Sequence, residues 1–227
     1  MRIAIGLMLL CASGTAWSQD FAVAQMNSVR QPTTATGAEL PKDDAAIIAA
    51  ANFGRCIAAR RDGAKMLGVL PESVRDRRLI FGVTMTPEIC STHGNFFELA
   101  PSFLRGSVAE YQLKRDFDLV SGKALHRPAK IFDLPQEGVR SALKANQKAV
   151  LSFLEYGRCV ATVDLQNVSK LVSSNVRTAE ERTAFKNLAP ALSQCLAPGM
   201  TLKVNPFKLR GYLAEGAYRY LTSKGAS

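Results

Sequence analysis

Histidine is nearly absent: the chain has only His93 and His126. There is also no Gly-x-Ser-x-Gly, no His-Glu-x-x-His, no Cys-x-x-Cys and no phosphate-cradling glycine loop. Each missing motif removes a route to nucleophilic, metal-assisted or redox chemistry. His93 stands in the turn Ser91-Thr92-His93-Gly94 and reads as a solvated side chain. The cysteines lie more than thirty residues apart without a nearby paired cysteine or histidine, which does not suit a zinc site. No catalytic residue, cofactor or metal is therefore expected. One enzymatic route survives these absences. Glycosidase-type hydrolysis needs only two acids at the right separation, and a sequence does not reveal such a pair.

Long apolar runs are scarce as well. The one at Ile3 to Ala12 is shorter than the roughly 20 residues a membrane span needs. It follows Met1-Arg2 and precedes the small residues of Ala16-Trp17-Ser18, the pattern of a secretory signal cleaved before Gln19. Lipid attachment at Cys11 is the competing fate, but the preceding Leu10 is bulky where such sites carry a small residue. The expected product is a periplasmic or secreted chain without a transmembrane segment.

What is abundant is positive charge. The formal net charge is +10, and removal of residues 1–18, which carry only Arg2, leaves +9. The basic residues are spread along the chain, and no aromatic-interleaved basic stripe argues for nucleic acid. A basic exported protein meets lipid head groups, anionic envelope polymers and acidic proteins first. An anionic envelope component or an acidic protein is thus the partner class the composition allows.

The chain is built on a duplication. Phe53-Gly54-Arg55-Cys56-Ile57-Ala58 returns as Tyr156-Gly157-Arg158-Cys159-Val160-Ala161. Pro101-x-x-Leu104-Arg105-Gly106-x-x-Ala109-Glu110 returns as Pro206-x-x-Leu209-Arg210-Gly211-x-x-Ala214-Glu215. Between the motifs each copy has one further cysteine, Cys90 or Cys195. Cleavage leaves four cysteines, and an even count in an exported chain reads as disulfides. An ancestral single unit could join only its own two, so Cys56–Cys90 and Cys159–Cys195 are expected.

The periodicity predicts an all-α fold with at most one or two short strands. Residues 1–18 form the signal, 19–42 a flexible lead-in, 43–115 the first helical repeat, 116–134 a linker and 135–227 the second repeat. An approximate twofold relates the repeats. Ile47, Ala51, Gly54 and Ala58 share one helix face, as do Val150, Leu154, Gly157 and Ala161. Thr178-Ala179-Glu180-Glu181 is a capping box, and Pro190 is expected to kink the helix that follows. At residues 79–85 composition argues strand, while correspondence with the second copy argues helix; helix is the expectation. Phe96 to Leu99 and Thr201 to Val204 are read as short extended pieces that pair.

Gly54, Gly106, Gly157 and Gly211 sit inside expected helices, where glycine costs roughly 1 kcal/mol against alanine. They are read as crossing points between the two motif helices of each repeat. Arg55 then approaches Glu110, and Arg158 approaches Glu215, as ion pairs. The sequence supports a non-enzymatic binding or structural module of the cell envelope. The alternative is an envelope hydrolase with a carboxylate pair in a cleft between the repeats.

Overall fold

A computed structural model describes residues 44–60, 63–84, 90 and 101–224. The expected signal, the whole lead-in, His93 and the extended piece 96–99 lie outside the described residues. Nearly every described element is helical. α1 is Asp44–Ala58, followed by a 3-10 helix, Gly63–Gly68; α2 is Val74–Thr84 and α3 is Pro101–Asp116. Then come α4, Glu137–Arg140; α5, Ala145–Val163; α6, Leu165–Ser173; α7, Ala179–Gln194; and α8, Pro206–Lys224. No strand occurs among the described residues, whose one β-bridge joins Phe117 to Ala124. Thr201 to Val204 is irregular backbone, not a strand.

Helix ends follow the local chemistry. Asn205 caps α8, its Oδ1 accepting the Phe207 N–H at 2.8 Å. Thr178 Oγ1 accepts the Glu181 N–H, the first half of the expected capping box, while the Glu181 carboxylate reaches one residue further back, to the Arg177 N–H instead of that of Thr178. Ser73 and Asp76 build the same device at α2: Asp76 N–H donates to Ser73 Oγ, and Glu72 N–H donates to the Asp76 carboxylate. The residues before the two caps, Glu72 and Arg177, both have positive φ, 58° and 64°. This cap settles residues 79–84 as helix, although Leu79-Ile80-Phe81 reads locally as strand. α7 continues through Pro190 to Gln194.

α8 is the central element. Its residues from Leu209 to Leu221 are buried on every side except at Gly211 and Tyr220, so it has no solvent face over that span. It packs chiefly against α5 and α3, while α1 covers α3 and α6 lies against α7. Gly106 of α3 meets Gly211 of α8, and Tyr218 farther along α8 reaches Asp116 at the end of α3. These two helices therefore run side by side in the same direction. Leu104, Val108, Leu113, Leu213, Ala217 and Tyr218 carry the main apolar core between them. The segment expected as a linker joins that core: Ala129 and Ile131 pack on it, and Phe132 and Leu134 pack on a second cluster with Leu151, Leu154 and Tyr212.

Both expected disulfides form, Cys56–Cys90 and Cys159–Cys195. The first ties α1 to the residues before α3, and the second ties α5 to the end of α7.

Candidate functional site

The chemistry of this molecule is concentrated where α3 and α8 touch. A Cβ built on Gly106 would stand 2.6 Å from the Gly211 Cα, and one on Gly211 would stand 2.9 Å from the Gly106 Cα. Only bare backbone fits at that contact. Gly157 of α5 is pressed against the Tyr212 carbonyl of α8 in the same way, and Gly54 of α1 against the Ser107 side chain of α3. Gly54 and Gly157 thus mark crossings within a repeat. Gly106 and Gly211 meet each other between repeats, which differs from the crossing expected for them.

Because the backbones come so close, the arginine before each glycine reaches across. Arg105 donates to both carboxylate oxygens of Glu215, at 2.8 and 2.9 Å. Arg210 donates to both oxygens of Glu110, at 2.8 and 2.7 Å. Each guanidinium also satisfies carbonyls of its own repeat: Arg105 those of Met66 and Val69, at 2.5 and 3.0 Å, and Arg210 those of Val172 and Ser174, at 3.0 and 2.8 Å. Each meets one more acid there, Asp76 at 3.5 Å or Glu181 at 3.0 Å. Those acids are the ones that cap α2 and α7, so the clasp is anchored to both helix starts.

The acids expected to form ion pairs do so, but with arginines other than Arg55 and Arg158. Glu110 is held by Arg210 and Lys114, and Glu215 by Arg105 and Arg219. Arg55 and Arg158 are exposed; Arg55 donates to Asn52, one turn back along its own helix. The reason is the glycine contact: Gly106 sits on Gly211 rather than on Gly54, so the neighbouring arginine faces the opposite repeat. Spacing within one repeat does not reveal a pair made between repeats. The recurrence of Arg105 and Arg210 beside a helical glycine was the available signal.

Charges balance in each half of the clasp. Arg105 and Arg219 face Glu215 and Asp76; Arg210 and Lys114 face Glu110 and Glu181. Burial pushes the Glu215 carboxyl up, but Arg105 and Arg219 pull it further down, to a net value below its ordinary one. Burial acts likewise on Glu110, where Arg210 and Lys114 prevail. Burial dominates at Asp76 and raises it despite Arg105. The Phe132 ring lies against two of these cations, 4.0 Å from the Arg219 guanidinium and 5.3 Å from that of Arg105.

Two small clefts open beside the clasp. One, with room for about 10 Å³, is walled by Glu72, Asp76, Ser102, Arg105, Tyr212 and Glu215 among others. The other, with room for about 40 Å³, lies between Ala51, Arg55, Glu110, Tyr111, Lys114 and Phe207 among others. Both are far below the roughly 300–1,000 Å³ range of ligand pockets. Among the described residues, no group of three or more histidine, cysteine or acidic side chains is arranged to hold a metal ion. No helix among them is long and apolar enough to cross a membrane. No protein-family model, curated protein or solved structure matches the chain.

Proposed function

We propose that this chain is exported, with residues 1–18 removed as a signal, and serves as a non-enzymatic binding or structural module of the cell envelope. The observation that carries this reading is the charge balance of the clasp. Glu110, Glu181, Glu215 and Asp76 each face a cation within 3.5 Å. A carboxylate locked to a guanidinium is a poor proton acceptor, so these acids serve cohesion rather than turnover. Two disulfides fit an oxidising compartment. The reciprocal pairs Arg105–Glu215 and Arg210–Glu110, together with the Gly106–Gly211 contact, support two repeats related by an approximate internal twofold, because a twofold interface repeats each contact with partners exchanged. The test is a pull-down of the exported protein with its bound material identified. Retention of an intact envelope component is the expected result; release of cleaved envelope polymer would contradict it.

One observation favours the hydrolase. Asp76 is raised and Glu215 lowered within the same cleft, the kind of split that assigns an acid and a base. On that reading Asp76→Asn abolishes turnover of envelope polymers while the protein stays folded. On the binding reading wild type shows no turnover to lose.

A further inference from the structure

After α3 the chain makes a tight hairpin whose tip is apolar and held rigid. Asp118 N–H donates to the Lys123 carbonyl at 2.8 Å, and Leu125 N–H donates to the Asp116 carbonyl at 2.8 Å. The Asp118 carboxylate accepts from the Val120 N–H at 3.0 Å and from Ser121 Oγ at 2.6 Å. Phe117 anchors the base against the ring of Tyr218. Gly122, with φ of +70°, turns its bare side towards Leu221 of α8 and Leu165 of α6. The hairpin is thereby fixed to the end of the molecule where α5 stops and α6 begins.

Large apolar side chains are exposed at that end. Val120 is 97% exposed, Leu125 57% and Val163, near the end of α5, 41%. A side chain at a bonded hairpin tip cannot fold back to hide itself. The same loop carries Lys123, Arg127 and Lys130, all exposed, and none pairs with a carboxylate among the described residues. Asp118, whose carboxylate is turned onto its own turn, and Asp164, which caps α6 by accepting from Asn167, keep their negative charge at this end. From Phe117 to Lys130 the loop therefore presents exposed apolar points with three cations against the one acid, Asp118.

We propose that this hairpin is a docking surface for an anionic phospholipid membrane, with Val120 and Leu125 entering between head groups and Lys123, Arg127 and Lys130 lying among the phosphates. A protein partner would need a broad, complementary surface. A convex tip with one fully exposed valine offers little such area, whereas a fluid lipid layer closes around it. Cations near a charged leaflet add roughly equal increments to binding. The inference rests on the binding-module reading and names one partner for it.

The experiment is co-sedimentation of residues 19–227, which contain every described element, with vesicles. One set contains phosphatidylglycerol and the other only phosphatidylcholine. Binding to the first and not the second, weakened by salt, is expected. The triple variant Lys123→Gln, Arg127→Gln, Lys130→Gln should bind roughly a hundredfold more weakly. The pair Val120→Ser, Leu125→Ser should bind about tenfold more weakly. Unchanged thermal unfolding of both variants shows that the fold survives. Equal affinity for the two vesicle types, or binding that either variant leaves intact, overturns the proposal. The envelope pull-down separates the two levels: a captured protein or polymer without vesicle binding ends this inference and leaves the binding-module reading standing.

Discussion

Glu110 and Glu215 show how a buried acid is made acceptable to a protein interior. Burial alone would neutralise each carboxyl, yet bidentate bonds from an arginine of the other repeat keep it ionised. Their folded values lie below the ordinary 4.5. Groups lowered on folding stabilise the protein above their unfolded value and lose that stabilisation as pH falls through the folded one. Asp76 acts in the opposite sense, since its raised folded value favours the fold only under more acidic conditions. The stabilisation from Glu110 and Glu215 should therefore fall away, and lower the unfolding temperature, as pH drops below about 4.5. Glu110→Gln should flatten that slope in a pH series of thermal melts while lowering stability near neutrality. An unaltered slope would show that Glu110 is not held ionised by Arg210. At this scale the sequence was only partly legible. It displayed Arg105, Glu110, Arg210 and Glu215 as duplicated residues and Glu181 as part of a cap, but Asp76 and the Glu181–Arg210 pair were hidden because each joins a helix start to an arginine 29 residues away.

Among the helices, the glycines divide by what a methyl group would meet. Gly106→Ala pushes a carbon into the Gly211 backbone, with no flexible side chain to move aside. It should cost about 1–3 kcal/mol or more in denaturant unfolding. Gly82 in α2 has nothing within 4 Å of the same position, so Gly82→Ala should stabilise by about 0.4–1 kcal/mol. Equal effects of the two substitutions would mean that the α3–α8 contact is looser than described. The Cys159–Cys195 bridge closes a sequence separation of 36. Replacing both cysteines with serine should remove about 4 kcal/mol, read as a shift in the urea midpoint. Helix positions and both disulfides were legible because the two copies of the sequence motifs check each other: correspondence with α7 overrules the β-branched and aromatic bias of residues 79–81. The 116–134 segment was less legible. Its turn formers suggest a linker, and nothing local says that Phe132 stacks on Arg219.

For the molecule as a whole, the segments that carry the two copies of the sequence motifs are joined by the exchange of partners about a glycine contact. Each arginine fastens its own repeat through backbone carbonyls and the other through a carboxylate. The apolar core alone would permit sliding along parallel helices; the paired guanidinium groups fix one register. Loss of one partner from such a buried pair costs about 3–5 kcal/mol, because the other charge is left without compensation. The most direct measurement is a double-mutant cycle with Arg210→Met and Glu110→Gln in denaturant unfolding, run beside the cycle with Arg55→Met and Glu110→Gln. The exchange of partners predicts a coupling of about 1–3 kcal/mol in the first cycle and additivity within about 0.5 kcal/mol in the second. Additivity in the first, or coupling in the second, would contradict it and return Glu110 to the arginine of its own repeat.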